Sequence, residues 1–345
     1  MHLDFEDTRN IPLYNLTEMH VLEESSRPFW SVIIPTYNGT QYLAQTLESA
    51  LQQDPGADVM QIEVVDDCST KDDPESLVKE IGQGRVSFYR NPQNLGLLGN
   101  WDACISRAKG QWIHLLHQDD LVLPGFYEQL QKGIESEPSV GAAFSRFTYF
   151  DKDGFWTDLA EIERKTPGIL EDWLEKIATQ QRMQFPAIAV RRTTYEKLGG
   201  FCPQARSAAD WEMWKRIAAH YPIWYEPQIL ACFRLHDTST SSGLILRGEN
   251  IADSARAIEI SFTYLPDSIA DKASRKARRF YAFQAFSKSR QLLSQNAVKG
   301  AIAQLIEGVK CSDSFEPAVI KAASSNAIKI LMQLLRNKFP LKALF

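Results

Sequence analysis

The chain has 345 residues, of which 44% are hydrophobic and 23% charged, with a formal net charge of −5. This composition is typical of a globular protein of about two domains. The acidic balance argues against a protein that binds nucleic acid through a basic surface. The five cysteines are scattered and none forms a C-x-x-C pair. They therefore indicate a reducing compartment, without a disulfide framework or a zinc site.

The first 28 residues show no sustained periodicity, and we expect a leader segment there. The stretch "MHLDFEDTRN" is acidic where a signal peptide is basic, and no apolar core follows it. No uninterrupted apolar run approaches the ~18 residues of a membrane-spanning helix. We therefore expect a cytoplasmic protein without a transmembrane segment. The stretch "LLRNKFPLKALF" predicts a helix that ends against its own domain, with peripheral contact at a membrane surface as the alternative.

Short runs of β-forming residues alternate with helical patterns over the first 120 residues. The stretch "SVIIPTYN" predicts a buried strand, and apolar residues at helical spacing follow it between Tyr42 and Leu51. Further strands are predicted in "QIEVVDDCST", "RVSFYRN" and "QWIHLLHQDD". Before the last of these, a helix is expected with Asn94 as its N-cap and Gly110 just beyond its end. Such alternation predicts an α/β fold with a mostly parallel sheet and helices on both faces.

Beyond residue 140 the pattern loosens into strands and short helices, and after residue 249 only amphipathic helices are indicated. We therefore predict three regions. These are a leader over residues 1–28, an α/β domain over 29–245 and a helical extension over 246–345.

Two pairs of acidic residues end successive predicted strands, Asp66–Asp67 and Asp119–Asp120. A single such pair is most simply a solvated turn. A parallel sheet, however, gathers its strand ends into one crevice, which is where ligands bind in open α/β sheets. Carboxylates gathered there can bind Mg²⁺ or Mn²⁺. No phosphate-binding P-loop and no G-x-G-x-x-G stretch is present, so nucleotide binding would have to use the acids and a metal.

Seven stretches, in this order and spacing, resemble the family 2 glycosyltransferases, which have the GT-A fold. The resemblance spans roughly residues 30–242. The seven stretches are "SVIIPTYNGTQYLAQTLESALQQ", "EVVDDCST", "RNPQNLGLLGN", "HLLHQDD", "KLGGF", "AADWEMWKRIA" and "FRLHDTSTS".

The resemblance implies a nucleotide-sugar pocket at the strand ends. Asp67 would accept a hydrogen bond from the base, and the segment after residue 233 would close over the phosphates. A surface salt bridge is the alternative role for Arg234. The residues implied in donor binding are Pro35, Thr36, Tyr37, Asp66, Asp67, Asn94, Gly96, Arg234 and His236.

The resemblance also implies a metal site at Asp119, supported by Asp120, that would bridge the donor diphosphate. The commoner family pattern is D-x-D-D, and His117 stands here in place of the first Asp. This variant occurs in the family, and a structural histidine is as good an interpretation of His117 as a ligand.

Asp210 matches the catalytic base of the family, although Ala209 replaces the Glu that usually precedes it. The base would take a proton from the acceptor hydroxyl during attack on the anomeric carbon. An N-cap of the following helix is the alternative role, and the two roles are compatible.

The sequence thus predicts an inverting, metal-dependent glycosyltransferase of the hexosyltransferase type. It would move a sugar from a nucleoside-diphosphate sugar, with a UDP-sugar favoured, to a glycan or lipid-linked acceptor in bacterial surface polysaccharide synthesis. The expected location is the cytoplasm or the inner face of the plasma membrane. A non-catalytic scaffold with the same fold and a sugar nucleotidyltransferase are the alternatives.

Overall fold

The computed structural model describes Tyr14, Leu16, Met19 and residues 26–236, 240–312 and 316–338. The predicted leader lies largely outside these residues, although Tyr14 forms a bridge with Gly199. The chain divides into two compact units. The first contains the chain up to Leu174, Arg182–Pro203 and Met213–Leu235. The second contains Glu175–Gln181, Gln204–Glu212 and the chain from His236 onward.

The described residues form one ten-stranded sheet, with the spatial order β3-β2-β1-β4-β9-β6-β10-β5, and with β7 paired to β6 and β8 to β10. Its strands are β1 (Trp30–Thr36), β2 (Met60–Asp66), β3 (Ser87–Arg90), β4 (Trp112–Leu115), β5 (Leu121–Val122), β6 (Ala142–Asp151), β7 (Trp156–Leu159), β8 (Gly168–Ile169), β9 (Ile188–Arg191) and β10 (Ile223–Leu235).

The sheet is parallel from β3 to β4 and mixed beyond it. Strand β9 pairs antiparallel with both β4 and β6, whereas β6 and β10 run parallel to each other. A mostly parallel sheet was predicted, and the difference arises because side-chain periodicity carries no strand direction. Strand β1 is buried along its whole length, as expected for a central parallel strand covered on both faces.

Twelve helices accompany the sheet in the described residues. They are α1 (Thr40–Leu51), α2 (Pro74–Gly82), α3 (Gly96–Arg107), α4 (Phe126–Ser136), α5 (Trp173–Thr179), α6 (Arg192–Leu198), α7 (Ala209–His220), α8 (Thr240–Arg247), α9 (Glu249–Phe262), α10 (Asp267–Ser294), α11 (Val298–Ser312) and α12 (Pro317–Lys338). The described residues after 249 form helices α9 to α12, in agreement with the amphipathic pattern of the sequence, and the predicted domain boundary at residue 245 falls within α8.

Helix α3 begins later than expected. Its N-cap is Leu95, which makes no side-chain capping bond, and not Asn94. The carboxylate of Asp67 accepts hydrogen bonds from the backbone N–H groups of Leu95 and Gly96, and the side-chain oxygen of Asn94 shares the Gly96 N–H at 3.1 Å. A capping acceptor from 28 residues earlier in the chain leaves no local signal, which explains the error.

Two small cores join the last helices of the second unit. Val319 of α12 packs with Ala282 and Phe286 of α10, and Ile330 of α12 packs with Leu292 and Ala301. By length and composition alone, Pro317–Leu335 could cross a membrane, with a mean hydropathy of 1.2 over its apolar window. Uninterrupted apolar runs did not indicate such a segment, because Lys321 and Lys329 interrupt it.

Candidate active site

The loops after β1 and β2 are held together by side-chain bonds. The Oδ1 atom of Asn38 accepts hydrogen bonds from the backbone N–H groups of Thr70 and Lys71, each at 2.9 Å. The carboxylate of Asp72 accepts from the backbone and the hydroxyl of Thr40. These bonds fix the edge of the sheet at which the predicted site residues lie.

Asp67 lies at this edge with both carboxylate oxygens engaged. Its Oδ1 atom accepts from the Asn91 side chain at 3.0 Å and from the Leu95 N–H at 2.8 Å, and its Oδ2 atom accepts from the Gly96 N–H at 2.9 Å. Asn94 donates in turn to the backbone oxygen of Asp67. The structure therefore brings together Asp67, Asn94 and Gly96, and a carboxylate with about four lone pairs keeps one on Oδ2.

Asp66 is fully buried and faces a different set of partners. It accepts hydrogen bonds from the backbone and hydroxyl of Ser69 and forms an ion pair with Arg90, with the Nε and Oδ2 atoms 2.6 Å apart. These contacts favour a structural role for Asp66 in shaping the loop after β2. Its predicted contact with a nucleotide stays a prediction.

Residues at the end of β1 lie beside the second acidic pair. Pro35 and Thr36 are buried, whereas Tyr37 is about half exposed. The backbone N–H of Tyr37 donates to Gln118 at 2.9 Å. The hydroxyl of Thr46 donates to the backbone oxygens of Gln118 and Asp120. Gln118 thus connects the β1 loop to the stretch that carries Asp119 and Asp120.

The second acidic pair contains a buried carboxylate, Asp120, of which one oxygen has a donor and the other has none among the described residues. Asp120 is buried, and its Oδ1 atom accepts from the Arg234 backbone N–H at 2.9 Å. Its Oδ2 atom accepts no hydrogen bond from the described part of the chain. Burial raises the pKa of Asp120 well above its usual value, and the neighbouring Asp119 carboxylate raises it further. A bound cation would offset both costs.

Arg234 supports this pair from β10. Its Nε atom donates to the backbone oxygen of Asp119 at 2.8 Å, and an Nη2 proton goes to Gln45 at 2.7 Å. The guanidinium lies 4.2 Å from the ring centres of both Tyr42 and Phe150. Arg234 is buried, so the alternative of a surface salt bridge is wrong. Burial also lowers its pKa.

His117 has an aromatic setting next to the same pair. Its ring stacks on Phe185 at 4.2 Å and on Trp101 at 5.4 Å. Burial lowers the pKa of His117 to about 4, so that the ring is neutral near pH 7. Its Nε2 atom has no hydrogen-bond partner among the described residues. The stacking contacts support a structural role for the His117 ring. The same ring can also serve as a metal ligand through its Nε2 atom.

Together these side chains can hold a metal ion. One ligand atom from each of His117, Asp119 and Asp120 lies within 4.8 Å of the others. Two carboxylates suit the hard ions Mg²⁺ and Mn²⁺, and an oxygen of Asp120 is buried without a donor. The donor set therefore fits the predicted metal.

Asp210 and His236 belong to the second unit. Asp210 is the second residue of α7, so it is not the N-cap position. Its carboxylate accepts from the Gln181 side chain at 2.8 Å and from the Trp211 N–H at 2.6 Å. The backbone N–H of Gln181 donates to the Tyr281 hydroxyl. The backbone oxygen of His236 accepts from Ser242.

Sequence reasoning missed the residues that hold these acids in place. Single glutamines in unremarkable surroundings give no signal by themselves. The apolar spacing around Tyr42 predicted the buried face of a helix, and it gave no sign that the Tyr42 ring would contact Arg234. The residues missed are Tyr42, Gln45, Gln118 and Gln181.

Known structures share this arrangement of sheet and helices. Residues 1–349 of TarS from S. aureus, in complex with UDP-GlcNAc, match 90% of this chain with a TM-score of 0.63 at 15% identity, over 91% of that chain. The mannosyltransferase PcManGT from Pyrobaculum calidifontis, with GDP-Man and Mn²⁺, matches 91% of this chain and 88% of its own, with a TM-score of 0.55 at 18% identity. The fold is therefore the GT-A fold of glycosyltransferases.

Sequence comparison relates a segment of the chain to a known family. Residues 31–199 match the model described as glycosyl transferase family 2. An uncharacterized glycosyltransferase of Haemophilus influenzae is 25% identical over 287 residues, 76% of this chain and 91% of its own. The succinoglycan biosynthesis protein ExoO of Rhizobium meliloti is 36% identical over 115 residues, 33% of this chain and 31% of its own. About half of the chain therefore matches glycosyl transferase family 2, and this match together with the named relatives indicates a glycosyltransferase.

Proposed function

We propose that the protein is an inverting glycosyltransferase that depends on Mg²⁺ or Mn²⁺ and uses a nucleoside-diphosphate sugar, preferably a UDP-sugar. The observation that carries this proposal is the second acidic pair. Asp120 is buried beside Asp119 with one oxygen that accepts no hydrogen bond from the described residues. That arrangement is costly unless a cation binds there. The UDP-GlcNAc bound to TarS and the GDP-Man and Mn²⁺ bound to PcManGT support the same proposal.

Asp119 and Asp120 would hold the cation, and a ring nitrogen of His117 lies within 4.8 Å of their ligand oxygens. When bound, the ion would neutralise charge on the diphosphate leaving group. Arg234 fixes both acids, because it bonds the backbone of Asp119 and the carboxylate of Asp120. In this proposal the main role of Arg234 is to position the two acids. Contact between Arg234 and the phosphates would be a lesser role.

The base of the nucleotide would lie against the Asp67 loop. One lone pair on Asp67 Oδ2 is left for a base N–H, after the bonds from Asn91, Leu95 and Gly96. Tyr37 and Leu95 keep exposed apolar surface on the loops beside it. Apolar surface flanking one polar acceptor suits a planar base.

Asp210 would act as the base toward the acceptor hydroxyl. Its carboxylate would receive the proton as the acceptor oxygen attacks the anomeric carbon and the bond to the diphosphate breaks, which inverts the configuration at that carbon. Gln181 holds one carboxylate oxygen at 2.8 Å and so limits the rotation of Asp210. The acceptor would be a glycan or a lipid-linked sugar in the cytoplasm or at the inner face of the plasma membrane. The name of ExoO, a succinoglycan biosynthesis protein, supports a polysaccharide product.

The test is a product assay with UDP-, GDP- and dTDP-sugars, and with a CMP-sugar that would release CMP and not a diphosphate, each with Mn²⁺ and with a chelator. Release of a nucleoside diphosphate that needs the cation supports the proposal, and the anomeric configuration of the product tests inversion. Release of pyrophosphate would identify a nucleotidyltransferase. No release from any donor, by a protein that unfolds cooperatively, would favour the scaffold.

A further inference from the structure

Helix α12 has one face that packs and one that does not. Val319 and Ile330 are buried against residues of α10 and α11, and Asn326 is buried on the same side. Only 17% of the apolar window from Pro317 to Leu335 is buried. The packed face thus ties the helix to the second unit, and the rest of its surface is exposed.

The exposed face of α12 is apolar. Ile320, Ile328, Leu331 and Leu335 are spaced by eight, three and four residues, which places them on one stripe of a helix. They are between 48% and 57% exposed. Met332 and Leu334 widen the stripe and are also exposed. A stripe of this length is far more apolar surface than scattered surface residues give, and it indicates a binding surface.

The charge of this region is opposite to that of the whole chain. Residues 317–345 contain no Asp or Glu, although the chain has 43 of them and a formal net charge of −5. The same segment contains five basic residues, which are Lys321, Lys329, Arg336, Lys338 and Lys342. Lys321 and Lys329 are exposed on α12 itself. An apolar stripe combined with an excess of basic residues is the pattern of a helix that binds an anionic lipid surface.

A second copy of the chain fits this surface less well. A symmetric contact would bring two such basic segments together, and like charges across an interface are unfavourable. A helix that crosses the bilayer also fits less well. It would place Lys321 and Lys329 in the lipid and give up the packing of Val319 and Ile330.

We propose that α12 is a membrane-surface helix that lies in the plane of an anionic lipid bilayer. Its stripe of Ile320, Ile328, Leu331 and Leu335 would enter the boundary between headgroups and acyl chains. Lys321 and Lys329, which are exposed on α12, would contact the negatively charged headgroups. This inference does not depend on the proposed donor or metal.

The test is co-sedimentation of the full chain with vesicles of phosphatidylcholine alone and of phosphatidylcholine mixed with phosphatidylglycerol, without donor or metal. We expect binding to the mixed vesicles that weakens with added salt. Lys321→Gln with Lys329→Gln should lower the partition coefficient about fivefold for each charge removed. Ile328→Ser with Leu331→Ser and Leu335→Ser should lower it at least ~10-fold. Phe155→Ser with Leu159→Ser and Ile162→Ser, a matched loss of exposed apolar residues in the first unit, should leave it unchanged.

Three outcomes would overturn the proposal. One is no binding to the mixed vesicles, or equal binding to both kinds. Another is a light-scattering mass of a dimer that the α12 triple variant returns to a monomer, which would make a second copy the occupant. The last is protein that stays with the membrane after alkaline carbonate extraction, which would indicate a spanning helix.

Discussion

Asp66–Asp67 and Asp119–Asp120 lie at the ends of β2 and β4, the two strands that flank β1 in the sheet. The two pairs have the same composition and equivalent topology, but their surroundings differ. Asp67 accepts hydrogen bonds from one side chain and two backbone N–H groups, and Asp66 is paired with Arg90. Asp120 keeps an oxygen that accepts no bond from the described residues, and it lies next to another carboxylate.

Because their surroundings differ, the two Asp–Asp pairs have different roles. Carboxylates whose lone pairs are filled by the protein stabilise the fold, because each bond offsets the cost of burial. Carboxylates that are buried without donors cost stability, and a ligand must supply the missing charge. Asp66–Asp67 is therefore chiefly structural, with one acceptor position to offer, and Asp119–Asp120 is the pair built for a ligand.

The largest effect is expected at the second pair. Asp119→Ala should lower donor turnover with Mn²⁺ by at least ~1,000-fold, since it removes a ligand of the charge that stabilises the leaving group. Release of nucleoside diphosphate measures it. Asp153→Ala, at an exposed aspartate of the first unit, is the control and should keep full turnover. Turnover of the Asp119 variant within a few-fold of the parent would contradict the metal assignment.

A smaller loss of turnover is expected for a substitution at Asp210. This substitution should affect catalysis and not donor binding. Asp210→Asn should lower turnover about 100-fold, the scale of a positioned base, and leave the dissociation constant of the donor nearly unchanged. The asparagine oxygen can still accept the bond from the Trp211 N–H, and its NH₂ group can donate to Gln181 if the Gln181 amide turns over. Urea denaturation of the variant is the control for the fold. Near-normal turnover in this variant would remove Asp210 from the mechanism.

Substitutions in the two pairs should change the free energy of unfolding in opposite directions. Asp67→Ala removes the acceptor of the Leu95 N–H and of one Asn91 amide proton, and it leaves the Gly96 N–H only its bond to Asn94. The change should cost about 2–4 kcal/mol of unfolding free energy. Asp120→Asn keeps an acceptor for the Arg234 N–H and removes the repulsion from Asp119, so without metal it should be as stable as the parent or more so. Urea denaturation with a chelator measures both. Equal losses in the two variants would contradict the comparison.

Asp102 shows what burial does to a carboxylate without a second acid beside it. Burial raises the pKa of Asp102 to about 6, whereas the unfolded value is about 3.9. Between these values the folded state keeps a proton that the unfolded state has lost, so stability falls as the pH rises from about 4 to 6 and is level above that. Asp102→Asn should remove this decline and be more stable at pH 7 by about 1–2 kcal/mol, after allowance for partial exposure. An unchanged pH profile would show that the carboxyl is not desolvated.

The sequence was sufficient for the alternation of strands and helices and for the positions of both acidic pairs, because these follow from local periodicity. It did not distinguish the pairs. The donors to Asp67 come from Leu95 and Gly96, and the donor to Asp120 comes from Arg234, 114 residues away. Such partners depend on the register of the folded sheet. The antiparallel direction of β9 was missed for the same reason.

The central claim is that the Asp119–Asp120 pair needs a cation to bind a nucleoside diphosphate. Calorimetric titration of UDP into the parent protein, with Mn²⁺ and with a chelator, tests it most directly. We expect Mn²⁺ to tighten UDP binding at least ~10-fold and Asp119→Ala to lose this gain. Equal affinity for UDP with and without Mn²⁺ would contradict it.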